Sequence, residues 1–143
     1  QILLFTRSRL EASVPRTMSA PTGDIVVVDH EVSVGNGVAE VLRDSGYSVE
    51  VFDDSTAALD FITAKPDGIA LVLVDQAAPQ LTGAKFADRV RALAEAPPVV
   101  ILAGYADRTE PPRCAERSGA RVLNKPFRVD ELLDAVRDRG RRQ

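Results

Sequence analysis

Leu71-Val72-Leu73-Val74-Asp75 is a short apolar run that ends abruptly in a carboxylate. Apolar residues that do not alternate with polar ones read as a strand buried on both faces, the habit of strands in parallel sheets. An acid at the end of such a strand stands where core meets solvent. The pattern invites a search for similar runs.

Three more follow it. Ile25-Val26-Val27-Val28 leads into Asp29-His30-Glu31, Val99-Val100-Ile101-Leu102 into Ala103-Gly104-Tyr105, and Arg121-Val122-Leu123-Asn124 into Lys125-Pro126-Phe127. A fifth segment, Tyr47-Ser48-Val49-Glu50-Val51-Phe52, alternates and is rich in strand formers. Between these lie helical spacings. Residues 32–45 carry Val34, Val38, Val41 and Leu42 on one face, with Gly46 as a stop and Gly35 and Gly37 as weak points. Asp53, Asp54 and Ser55 offer N-caps to a helix holding Ala58, Phe61 and Ile62, closed by a Pro66-Asp67-Gly68 turn. A helix over residues 82–94 turns Phe86, Val90 and Leu93 inward. Pro111 and Pro112 restrict the next helix to about residues 112–118, and Val129-Asp130 opens a last one with Leu132, Leu133 and Val136 on one face.

Composition limits the rest. A chain of 143 residues, 45% hydrophobic and 27% charged, suits one globular core and leaves little for a second. Its 18 basic and 21 acidic residues are well mixed, so no basic face points to nucleic acid. Arg137, Arg139, Arg141 and Arg142 gather at the end, where cations suit a solvated helix C-terminus. With Cys114 the only cysteine, neither an internal disulfide nor a cysteine metal cluster can form, and Cys114 reads as a packing residue in or near a helix. No apolar run approaches the roughly 20 residues of a membrane span, and Ile2 to Phe5 is too brief for a signal-peptide core, so a cytoplasmic setting is expected. Residues 1–22 depart from the pattern and are set apart as an N-terminal extension. Its first 17 residues read as cloning-derived or as the end of an upstream segment, with Met18 as a natural start. The folded domain is expected over residues 23–140.

Strict strand-helix alternation with buried strands argues for an α/β fold, a parallel five-stranded sheet covered by helices on both faces. Sites in such open sheets form at the carboxyl ends of strands. Those ends carry Asp29 and His30, Asp75, Ala103 and Lys125.

These residues bring a resemblance into view. Val26-Val27-Val28-Asp29, Gly46-Tyr47-Ser48-Val49, Leu73-Val74-Asp75 with Pro79 and Gly83, and Asn124-Lys125-Pro126-Phe127 make the chain similar to a response-regulator receiver domain, the phosphoacceptor module of two-component signalling. The likeness covers about residues 23–139. It implies the flavodoxin-like (βα)5 sandwich with strand order 2-1-3-4-5. It implies Asp75 as the phosphoacceptor for a sensor histidine kinase or phosphotransfer protein. Lys125 would pair with the phosphoryl group ahead of a cis proline, and Asp29, Asp75 and the Ala77 carbonyl would hold Mg²⁺. A carboxylate attacking phosphorus needs such a hard cation, and a lysine suits as a mobile point charge.

Two positions depart from the family pattern. The second acid after strand 1 is replaced by His30, a poorer donor to Mg²⁺ that points to weaker binding or to Mn²⁺. The Thr or Ser at the end of strand 4 is replaced by Ala103, whose methyl cannot bond a phosphoryl oxygen. The aromatic switch position on strand 5 holds Val122, with Tyr105 as the other candidate. Impaired or atypical activation is therefore expected. The competing reading is a pseudo-receiver that binds protein partners without phosphate, with Asp75 only capping a turn and Lys125 only neutralising it. A small flavin or nucleotide enzyme of the same architecture is disfavoured, because Asp29-His30-Glu31 stands where a Gly-rich phosphate loop belongs. Output is expected through a downstream protein partner, a homodimer, or a segment beyond these residues, with no direct contact to nucleic acid or membrane.

Overall fold

The computed structural model describes residues 23–104 and 120–142, with side chains to residue 138. Five parallel strands, β1 (Asp24–Val28), β2 (Val49–Phe52), β3 (Ile69–Asp75), β4 (Val99–Ala103) and β5 (Arg121–Asn124), form one sheet in the order β2-β1-β3-β4-β5. Four α-helices lie among the described residues: α1 (Val32–Asp44), α2 (Ser55–Ala64), α3 (Gly83–Arg91) and α4 (Val129–Arg142). The extension over residues 1–22, the short helix expected at 112–118, Tyr105 and Cys114 lie outside the described residues.

The sheet sorts its side chains by parity, as a period of two requires. Val26 and Val28, Val72 and Val74, and Val99 and Ile101 enter one core with Ala58 and Ile62 of α2 and Phe86, Ala87 and Val90 of α3. Ile25 and Val27, Leu71 and Leu73, and Val100 and Leu102 enter the other with Val38, Ala39 and Leu42 of α1 and Leu132 and Val136 of α4. The result is a three-layer sandwich of flavodoxin type.

The expected elements correspond closely, with several refinements, among them that α3 ends at Arg91 where the spacing carried it to residue 94. β2 begins at Val49 rather than Tyr47, because the Tyr47 N–H is still bonded to the Leu42 carbonyl (3.1 Å) in the turn that ends α1. Gly46 makes that turn with φ of +101°, a left-handed conformation in which Cβ is costly. The closing turn at Pro66–Gly68 is a 3-10 helix. The strands are not all buried on both faces. The edge strand β5 keeps Arg121, Val122 and Leu123 only half-buried, tied back by Arg121 to Asp138 of α4 at 2.9 Å. Of the three offered caps, Asp54 serves α2, accepting from the Thr56 N–H at 3.0 Å.

Candidate functional site

The strand order reverses direction at β1 and β3, so the crossovers leave this pair on opposite sides and open a crevice at their carboxyl ends. Register then fixes what lies there. Val28 pairs with Val74, which puts Asp29 beside Asp75, and both continue the parity of the core shared with α1 and α4. The ladder runs one step past the strand ends. Asp29 N donates to Phe52 O (3.0 Å), Gln76 N to Leu102 O (2.9 Å) and Lys125 N to Ala103 O (2.8 Å). Three sequence-distant positions, Asp29, Gln76 and Lys125, are thus held by backbone bonds. The Lys125–Pro126 peptide is cis.

Asp29 and Asp75 are 1% and 2% exposed, and their oxygens are divided between an ammonium and an imidazole. Lys125 Nζ stands 3.4 Å from Asp75 Oδ1 and 3.6 Å from Asp29 Oδ2. His30 Nδ1 stands 2.9 Å from Asp75 Oδ2 and 3.9 Å from Asp29 Oδ1. Backbone amides complete the set: Glu31 N donates to Asp29 Oδ1 (2.9 Å) and Ala77 N to Asp75 Oδ1 (3.2 Å). The turn-capping role considered for Asp75 is therefore real, and it coexists with the lysine pairing. Among the described residues Asp29 Oδ2 is buried with no hydrogen-bond partner, the Lys125 ammonium 3.6 Å away being its nearest compensation. Such burial is costly unless something else approaches the oxygen. Burial pushes the Asp29 carboxyl above its ordinary 3.8. The Glu31 N–H works against that shift, the Asp75 charge adds to it, and Lys125 and His30 oppose it.

Donor atoms of Asp29, His30 and Asp75 all lie within 4.8 Å of one another. Two carboxylates with one orphaned oxygen and an imidazole fit a divalent cation. Ala103 is fully buried at the end of β4, and its carbonyl positions the Lys125 backbone, while its methyl offers the site no donor.

One residue of the site escaped the sequence reading. Gln76 is 5% exposed, and its Oε1 accepts from the Ala84 N–H at 2.9 Å while its carbonyl accepts from Gly83 N at 3.2 Å. It therefore caps the first turn of α3 and ties that helix to the end of β3. A Cβ on Gly83 would come within 2.9 Å of Gln76 Cα, so only glycine lets the two segments approach. Thr82 closes the joint, its hydroxyl accepting from Lys85 N at 3.3 Å. The one local signal was a long polar side chain directly after a buried strand.

Sheet order and comparisons agree. The chain matches the response regulator receiver domain over residues 25–137 and belongs to that family, whose members are signalling modules of two-component systems. Among solved structures it is similar to a response regulator receiver domain protein from Clostridium thermocellum, with a TM-score of 0.79 and 26% identity over 84% of this chain and 95% of that one. Among curated proteins it is 25% identical to the response regulator protein TodT of Pseudomonas putida over 85% of this chain and 53% of that protein. It is 30% identical to the transcriptional regulatory protein DltR of Streptococcus agalactiae over 82% of this chain and 51% of that protein. The chain thus spans about half the length of these two relatives. No helix among the described residues is long and apolar enough to cross a membrane.

Proposed function

We propose that the domain, residues 23–140, accepts a phosphoryl group on Asp75 from a histidine kinase or phosphotransfer protein and relays the signal through protein contacts. One observation carries the reading: the Lys125 ammonium stands within 3.6 Å of both buried carboxylates, beside an oxygen that has no hydrogen bond. In the transfer, an Asp75 oxygen attacks phosphorus as the P–N bond to the donor imidazole breaks. The imidazole keeps the electron pair and takes a proton from solvent, and an acyl phosphate remains on Asp75. Lys125 leaves Asp75 Oδ1 to pair with the phosphoryl oxygens, a motion its flexible stem permits. Asp29, Asp75 and the Ala77 carbonyl, joined by His30, would hold the divalent cation, Mg²⁺ or Mn²⁺. A cation bound there neutralises the oxygens that gather around phosphorus.

Activation in this reading is atypical. Ala103 offers no hydroxyl to pull the following loop toward the phosphoryl group, and His30 must give up its bond to Asp75 before that oxygen can react. The same bond supports a second reading. His30, Lys125 and the Ala77 N–H together satisfy Asp75 with no phosphoryl group present, as a phosphate-independent binding module would require. DltR is named as a transcriptional regulator, so a nucleic-acid output in another segment of the whole protein is compatible with either. A phosphate-affinity gel of parent and Asp75→Asn, each treated with a small phosphodonor and Mg²⁺ or Mn²⁺, separates the two. A retarded band only in the parent supports the phosphoacceptor; no band with either ion favours the binding module.

A further inference from the structure

We propose that His30 turns the acidic crevice into a nitrogen-bearing cation site that takes a first-row transition ion, with Zn²⁺ as its probe, in preference to Mg²⁺. The inference deepens the receiver reading and shares its cation site, but it concerns which ion is held rather than what Asp75 accepts.

Geometry comes first. Bonds of about 2.0–2.2 Å to a shared ion place neighbouring ligand atoms roughly 2.8–3.6 Å apart, for angles between octahedral and tetrahedral. His30 Nδ1 and Asp75 Oδ2 are 2.9 Å apart, so they already have the spacing of a ligand pair. His30 Nδ1 and Asp29 Oδ1, at 3.9 Å, are a few tenths of an ångström beyond it. The ammonium of Lys125 lies against the other two oxygens, Asp75 Oδ1 and Asp29 Oδ2, so the His30 side of the crevice is not the side the lysine fills. The Asp29 side chain is 1% exposed, and among the described residues its Oδ2 has no hydrogen bond, only the Lys125 ammonium 3.6 Å away, so this buried carboxylate is left under-satisfied and Oδ1 is the oxygen it turns to the His30 side.

Chemistry then selects the ion. Mg²⁺ demands a near-ideal octahedron of hard oxygens and keeps several waters, whereas imidazole suits Zn²⁺, Ni²⁺ and Cu²⁺. Replacing one oxygen donor by His30 weakens the first and strengthens the second. His30 is 37% exposed, so its ring can reorient toward an arriving ion without disturbing the core.

The test is ion binding without phosphodonor. Metal-stripped full chain, its His30→Ala and His30→Asp variants, and a Cys114→Ser control that removes the only thiol are titrated calorimetrically with Zn²⁺ and with Mg²⁺. The parent should bind Zn²⁺ at least about 100-fold more tightly than Mg²⁺, and His30→Ala should shrink that ratio by about tenfold or more. His30→Asp should shrink it too, by gaining Mg²⁺ affinity. Because His30 is the only histidine, its ring resonances are unambiguous and should shift on Zn²⁺ addition. Equal Zn²⁺-to-Mg²⁺ ratios in all forms, or ring resonances that do not move, would overturn the proposal. A ratio that collapses in His30→Ala while Asp75 accepts no phosphoryl group leaves this inference standing and removes the phosphoacceptor reading. Phosphorylation of Asp75 with a His30-independent ratio does the reverse.

Discussion

Asp75 is held from three directions, by the imidazole on one oxygen and by an ammonium and a backbone amide on the other, while its neighbour Asp29 keeps one oxygen with no hydrogen bond among the described residues, only the Lys125 ammonium 3.6 Å away. The two acids are thus unequal. Burial raises the Asp29 carboxyl above its ordinary 3.8, so the folded chain binds its proton more tightly than the unfolded chain does. The stability this gives is fully present below about pH 3.8 and is lost as pH rises through the folded value. In the metal-free protein Asp29→Asn should therefore melt at a higher temperature than the parent at neutral pH, and the gap should close toward pH 4 in a differential scanning series. A gap independent of pH would show that Asp29 carries no such cost. The two family departures make a second prediction. His30→Asp with Ala103→Thr should raise the metal-dependent yield of acyl phosphate above that of the parent. The threonine should cost about 1–3 kcal/mol, because Ala103 is fully buried, and a urea titration would read it. A double variant that behaves like the parent would move the deficit elsewhere, the loop after Gln76 being next in line.

Among the elements, α1 carries two glycines with different reasons. A Cβ on Gly35 would meet Val51 Cγ1 at 3.2 Å and Asp29 Cβ at 3.5 Å, so this residue lets the helix lie close against β2. A Cβ on Gly37 would meet nothing within 4 Å, and the position is exposed in mid-helix. Gly37→Ala should stabilise the domain by about 0.5–1 kcal/mol, seen as a higher urea midpoint at unchanged slope, since alanine restricts the unfolded chain and favours helix. The joint between β3 and α3 predicts the opposite sign. Gln76→Leu leaves the buried Ala84 N–H without its acceptor and should cost about 1–3 kcal/mol. It should also weaken divalent binding, because the Ala77 segment is anchored through that bond. Both elements were legible as a helix and a strand end from spacing alone. Neither the contrast between the glycines nor the Gln76 brace was, because each depends on which segment packs across, and periodicity says nothing about the far partner.

At the scale of the whole molecule, parity and register do the placing. Apolar runs named four strands and their carboxyl ends. The sheet order, carried by family resemblance, put Asp29, Asp75 and Lys125 together as found. The sequence also marked His30 as a departure, but its bond to Asp75 spans 45 residues and could not be read locally. The same holds for the orphaned Asp29 oxygen, which is defined by what fails to reach it. Asp75, paired with Lys125 beside a cation cradle, is the proposed phosphoacceptor. That role is tested most directly by intact-mass spectrometry of the full chain after treatment with a small phosphodonor and Mg²⁺, Mn²⁺ or Zn²⁺, beside Asp75→Asn. The parent should gain one phosphoryl mass with at least one of these ions and Asp75→Asn none. No gain with any ion, or an equal gain in the variant, would contradict it.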